Sequence, residues 1–205
     1  MLPIKHEHDD TSSHNNLSPA RLEAFSDGVM AIIITITIFG IKLPTGTGFA
    51  DLKPLLPLLI VYAVSFQMVG IYWNNHHHLL RATKHVSTGI MWANLHLLFW
   101  LSLIPLATQW LGANHGSHVP TAMYAAVLFM SGFAYSLLQW QVIQHSENRE
   151  KIITEFEANK KGLFSLVVYG SALVLAFFYP IVSDILILLV SLVWFIPDQR
   201  IAKYL

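Results

Sequence analysis

Arg21-Leu22-Glu23-Ala24-Phe25-Ser26-Asp27-Gly28-Val29-Met30-Ala31-Ile32-Ile33-Ile34-Thr35-Ile36-Thr37-Ile38-Phe39 is the stretch on which the fold turns. From Gly28 to Ile41 the chain carries no charge. A helix of ~20 mostly apolar residues crosses the ~30 Å hydrocarbon layer of a bilayer. The β-branched run is no obstacle to such a helix, because in lipid the backbone must satisfy its own hydrogen bonds and a helix does so. The segment therefore reads as a first transmembrane helix. Its one charge beyond the edge is Asp27, and a charge inside an apolar span is costly and a functional candidate by default. At 1.5 Å per residue Asp27 lies ~9 Å along the helix from Arg21, in the near leaflet and short of the midplane.

The rest of the 205 residues agrees with a membrane protein. Hydrophobic residues make up 54% and charged residues 12%, about half the ~25% charged content of a soluble domain. Net charge is zero, so no basic surface points to nucleic acid. Cysteine is absent, which removes disulfides, thiolate metal sites and cysteine nucleophiles. Residues 1–18 are polar, without the basic start and apolar core of a signal peptide, and read as a flexible cytosolic tail. Residues 19–205 read as one all-α, polytopic unit of six spans at about 19–43, 54–80, 87–111, 120–144, 161–179 and 181–196. The last two are short, and the join at Pro180, Ser183 and Asp184 must be tight; two short spans are preferred there over a re-entrant pair.

Lysine and arginine placement orients the chain. With six spans, one side holds Lys5, Arg21, Arg81, Lys84, Arg149, Lys151, Lys160, Lys161, Arg200 and Lys203, and the other only Lys42 and Lys53. That bias places both termini in the cytosol. Segment 146–159 reads as a cytosolic helical extension with i, i+4 pairs such as Glu147–Lys151. No internal repeat marks an inverted-repeat transporter.

Depth brings polar groups together. The second span descends to Trp73-Asn74-Asn75-His76-His77-His78, and the third rises with Trp92, Asn94 and His96 in its first turns. These fall near the level of Ser26 and Asp27. The reading is a buried hydrogen-bonded cluster joining helices one, two and three, since a buried carboxylate needs partners and polar side chains join helices across lipid. Structural glue is the plain role; a proton-linked switch is the sharper one. The histidine run is no metal site, because consecutive helical residues point ~100° apart. Outward from Asp27, residues Gly28, Ile32, Thr35, Ile36 and Phe39 share one face. By periodicity alone this is an ordinary packed or lipid-facing helix, with Thr35 bonded to its own backbone. Val69-Gly70-Ile71-Tyr72 echoes a potassium-channel filter loop, but lies mid-span and reads as helix packing through Gly70.

Arg-x-x-x-Phe-Ser-Asp at Arg21, Phe25, Ser26 and Asp27 resembles the motif of the endosomal and lysosomal potassium channels known as transmembrane protein 175 and their bacterial relatives. Ala31 to Thr35, Trp73 with the histidines that follow, Asn94, and Leu103-Ile104-Pro105 are similar too, as are chain length and the six-span plan of the bacterial members. The resemblance implies a potassium-selective channel, not an enzyme, in a bacterial plasma membrane. It implies a homotetramer with helix one lining the pore, Ile32, Ile36 and Phe39 as an apolar gate and Thr35 as the selectivity layer. Phe39 departs from the aliphatic residue usual in the family. Arg21, Phe25, Ser26, Asp27, Trp73, Asn74, His77, Asn94 and His96 would form the structural network. No cofactor or resident metal is implied. Potassium ions, membrane lipids and further copies of the chain are the partners. The competing reading is a proton-coupled transporter or proton-permeable pathway using Asp27 and the histidines of helices two and three.

Overall fold

The computed structural model describes residues 18–146 and 160–195. The tail 1–17, the Glu147–Lys151 pair and the C-terminal Arg200 and Lys203 lie outside them. The described residues are all-helical. Helix α1 runs Pro19–Phe39. Ser18 caps it, its side chain accepting from the Arg21 amide at 3.4 Å, and Pro19 occupies the first turn, where its missing N–H costs nothing. After Gly40 a loop leads to a 3₁₀ turn, Phe49–Leu55, which runs straight into α2, Leu56–Arg81.

The third span is two helices, α3 (Thr88–Ser102) and α4 (Ile104–Ala113). The sequence reading took it as one. Pro105 accounts for the break: without an N–H it cannot bond back one turn, and its ring crowds the preceding carbonyls. Leu103 turns tightly instead, its amide bonding to Trp100 O at 3.2 Å. Helix α5, His118–Gln144, is the longest at 27 residues. Helices α6 (Lys160–Ala176) and α7 (Pro180–Phe195) have 17 and 16 residues. Pro19–Phe39, Phe49–Arg81, Thr88–Ala113 and His118–Gln144 are each long and apolar enough to cross a membrane, and α6 and α7 are shorter apolar helices.

The tight α6–α7 join is built as a clasp. The Tyr179 amide bonds to Leu175 O at 2.6 Å and the Ser183 amide to Tyr179 O at 3.1 Å. The buried Ser183 hydroxyl reaches back to Ala172 O at 2.8 Å. Pro180 starts α7, as a residue without an amide proton can.

Helix α5 is the centre of the packing, against α3, α4, α6 and α7, while α1 lies on α2, α3 and α4. Tyr124, Leu128 and Leu138 of α5 and Leu97, Leu101 and Ile104 of the third span are fully buried. Half of the apolar window of the third and fourth spans is buried, but only 28% of that of α1. A helix apolar on all sides and buried on one stripe needs lipid or another protein against the remainder.

One glycine is demanded by close packing. A Cβ at Gly112 of α4 would lie 2.8 Å from Leu58 Cα and 2.3 Å from its Cδ1. Gly70, expected to mark a helix contact, has nothing within 4 Å of its Cβ position; within one chain it packs nothing. Gly112→Ala is accordingly expected to destabilise by about 1–3 kcal/mol through overpacking. Gly162→Ala, in open space on α6, should be neutral or gain up to about 1 kcal/mol of helix propensity. The thermal midpoints of the two variants in detergent check the opposite signs.

Candidate functional site

Helix α1 divides cleanly. Leu22, Ser26, Met30, Ile33 and Thr37 form its buried stripe, spaced by three and four residues as one helical face requires. On the other side Gly28, Ile32, Thr35, Ile36 and Phe39 are exposed, with Ile32, Ile36 and Phe39 at 62%, 50% and 84%. The two threonines part company. Thr37 faces inward, its hydroxyl donating to Ile33 O at 2.7 Å. Thr35 faces outward and donates to Ala31 O at 3.0 Å and Ile32 O at 3.1 Å. A hydroxyl has one proton and two lone pairs. With the proton turned into the helix, Thr35 offers oxygen lone pairs to whatever lies against this face.

The buried stripe is anchored by a polar chain across three helices. The Ser26 hydroxyl donates to Leu22 O at 2.8 Å and accepts from Asn94 Nδ2 at 2.9 Å. Asn94 Oδ1 stands 2.7 Å from His76 Nε2. All three side chains are fully buried. An amide oxygen only accepts, so His76 carries its proton on Nε2 in this contact. Beside the triad, His77 Nδ1 pairs with Glu23 Oε1, joining α2 to α1 a second time. Asp27 lies close to His76. Its Oδ1 and His76 Nδ1 are both buried without a hydrogen-bond partner.

The expected nine-residue network is thus smaller and shifted. Ser26 and Asn94 belong to it; His76 takes the place expected of His77, which instead holds Glu23. His96 is half-buried and packs edge-on to Trp100, ring centroids 6.3 Å apart. Arg21, Phe25, Trp73 and Asn74 are exposed, and none of the described hydrogen bonds ties their side chains to the triad. Phe25 and Arg21 continue the exposed face of α1 toward its start, which is why they turn away from the anchor. His76 was legible in principle. Of the three consecutive histidines it alone is in phase with the buried Ser65, Val69, Leu79 and Leu80 of α2. Among the described residues no group of three or more His, Asp or Glu side chains could hold a metal ion.

An all-helical protein with four helices long and apolar enough to span a bilayer, its first helix held on one face by buried polar bonds and left open on the other, is, in class, a polytopic membrane protein. The family model described as Endosomal/lysosomal potassium channel TMEM175 matches residues 21–105, which include α1, the triad and Pro105. A potassium channel of Chryseobacterium sp. (strain P1-3) is 46% identical over 189 residues, 92% of this chain and 98% of that one. The chain belongs to the TMEM175 family. The endosomal/lysosomal proton channel TMEM175 of Mus musculus is 27% identical over 182 residues, 80% of this chain but 36% of its own length. The fold matches the crystal structure of a lysosomal potassium-selective channel TMEM175 homologue from Chamaesiphon minutus. The TM-score is 0.73 at 23% identity, covering 86% of this chain and 95% of that one.

Asn94→Ala should leave the His76 Nε2–H buried and unpaired, lowering stability by on the order of 2 kcal/mol. His77→Ala should cost less, because the His77 and Glu23 side chains keep 29% and 20% of their exposure and water replaces the lost partner. Thermal unfolding of the two purified variants side by side gives the ranking.

Proposed function

We propose that the protein is a passive potassium channel whose pore is lined by α1. The observation that carries this reading is the face of α1. It is exposed in the single chain, apolar at Ile32, Ile36 and Phe39, and bears one outward hydroxyl, Thr35, whose oxygen is free to meet a cation. One helix cannot enclose a path, so the reading requires several copies around an axis, and closed cyclic symmetry supplies them; four is the number the family resemblance implies. The 46% identity to a bacterial potassium channel over nearly the whole of both chains supports the same conclusion. The lysine and arginine bias supports cytosolic termini in a bacterial plasma membrane.

The physics follows from the two kinds of surface. Rings of Ile32, Ile36 and Phe39 would form apolar constrictions that close by losing water. Successive rings at 32 and 36 stand ~6 Å apart along the helix. Between them a ring of Thr35 oxygens replaces part of the water a cation leaves behind. The Ser26–Asn94–His76 chain holds α1 in register on α2 and α3, so the spacing of the rings is set by buried bonds and not by the pore contents. Because each hydroxyl donates inward, its proton does not oppose the ion.

The proton-permeable reading rests on Asp27 Oδ1 and His76 Nδ1, two buried polar atoms without partners, and on the proton-channel relative from mouse. The two readings separate in one experiment. In a planar bilayer under opposed potassium and sodium gradients, the wild-type protein should give single-channel currents reversing near the potassium potential. Thr35→Ala removes one hydroxyl contact per subunit, worth about 1 kcal/mol, and should lower the potassium-over-sodium permeability ratio about fivefold. Reversal that follows a pH gradient instead, and disappears in Asp27→Asn, would replace the potassium reading with the proton one.

A further inference from the structure

A second polar site lies at the other end of the molecule, on the side reached by the end of α1. The α4–α5 loop, the start of α2 and the start of α7 meet there around a cavity of about 240 Å³. Its lining is almost wholly aliphatic, apart from Asp184, Tyr124 and His115. A second hollow of about 550 Å³ lies along the groove between α2 and α7, lined by Phe66, Gln67, Ser191 and Leu192 among others. Both hollows are walled by Ile60, Val64 and Leu188, so they are neighbours on the apolar surface. Seven to eight residues separate Asp184 from Ser191 and Leu192, a depth of roughly 11 Å. The deep end is closed by Gln67, whose Nε2 donates to Ser191 O at 2.6 Å and ties α2 to α7.

The head of this groove carries buried polar atoms without partners. Thr108 gives its hydroxyl proton to Ile104 O at 2.7 Å. Ser65 Oγ donates to Val61 O at 2.9 Å and stands 2.6 Å from Thr108 Oγ1. Tyr124 Oη stands 2.8 Å from Ser65 Oγ. Each hydroxyl has one proton to give, so these hydroxyls are engaged with one another and with helix carbonyls, and Tyr124 lines the cavity beside them. Asp184 stands at the rim beside Thr121, the backbone of Gly116 and His115, yet its Oδ1 is buried without a hydrogen-bond partner. Thr121 Oγ1 is buried and unpartnered as well. A carboxylate in apolar surroundings is stable only with a donor, and best with a charged one.

We propose that the groove between α2 and α7, headed by Asp184 and Tyr124, binds a phospholipid with a primary-ammonium head group. The ammonium supplies N–H donors and a positive charge to the Asp184 carboxylate oxygen that has no partner. The apolar groove below takes an acyl chain, and the interfacial level of Asp184 matches that of a lipid head group. A trimethylated choline head carries the same charge but has no proton to donate. An anionic glycerol head brings like charge to the carboxylate. The site is separate from the α1 face and does not depend on the pore reading.

Native mass spectrometry of the full-length protein tests this, with equal dioleoylphosphatidylethanolamine, dioleoylphosphatidylcholine or dioleoylphosphatidylglycerol added to the micelles. The wild type should retain the ethanolamine lipid about tenfold over the choline lipid, the worth of charge-assisted bonds that only N–H can make. Asp184→Asn should bring that ratio close to one. Equal retention of the three lipids, a preference for the glycerol lipid, or a preference that survives Asp184→Asn overturns the proposal. Should Asp184→Asn not purify as folded protein, Leu188→Trp decides. Filling the groove there should abolish the ethanolamine adduct, and an adduct undiminished in that variant counts against the site.

Discussion

Asn94 sits in the membrane-spanning part of the protein with two polar ends and no water to satisfy either. Its amide donates to Ser26 on α1, and its carbonyl accepts from His76 on α2. The alternative to those two bonds is a pair of orphaned groups in a low-dielectric interior, where each would cost more than an ordinary hydrogen bond gains. Three helices are therefore held at one relative height by one side chain. Apolar packing between lipid-immersed helices lacks this power, since lipid tails solvate leucine as well as leucine does. The rotation of α1 follows from the anchor. Once Ser26 must face Asn94, the residues three and four positions on (Met30, Ile33, Thr37) face inward too, and Ile32, Thr35, Ile36 and Phe39 face out.

The interior of the bundle obeys the same rule elsewhere with different residues. Ser65, Thr108 and Tyr124 join α2, α4 and α5 through one connected set of hydroxyls. Ser183 clasps α7 to α6, and the Trp194 indole donates to Ser165 Oγ at 2.8 Å between the same two helices. Most serines and threonines of the spans also return a proton to a carbonyl one turn back, as Ser131 does to Val127 at 2.8 Å. Polar atoms are scarce, and nearly all are spent on joining or relieving the helices. That scarcity makes the few unspent ones informative, among them Asp27 and His76 at one end and Asp184 and Thr121 at the other.

Much of this was legible in the sequence because a bilayer imposes a simple constraint. Long uncharged stretches can only be helices there, so the spans could be read from composition and length. The depth of polar residues followed from counting 1.5 Å steps, which put Ser26, Asn94 and the histidines at one level. Depth is only one coordinate, however. It did not say which of three adjacent histidines turns toward Asn94, and His77 was assigned where His76 stands. Arg21, Phe25, Trp73 and Asn74 share the right level yet point elsewhere. The sequence reads as one helix through Leu103, because a proline within an apolar run is equally consistent with a kink, whereas the structure divides the span there into α3 and α4.

By itself, then, the sequence determined that the chain is an all-helical membrane protein, which side of the bilayer its basic residues favour, and which α1 residues lie on one face. Those properties depend on local spacing and on the solvent, and every residue of a segment contributes to them. The tertiary structure alone decided which face of α1 is buried, which histidine completes the anchor, and that Asp184, Tyr124 and His115 from three separate segments converge on one cavity. These depend on the azimuth of each helix about its own axis. A segment apolar on every side carries almost no record of that angle, and it is fixed only when a few buried polar atoms find each other across helices.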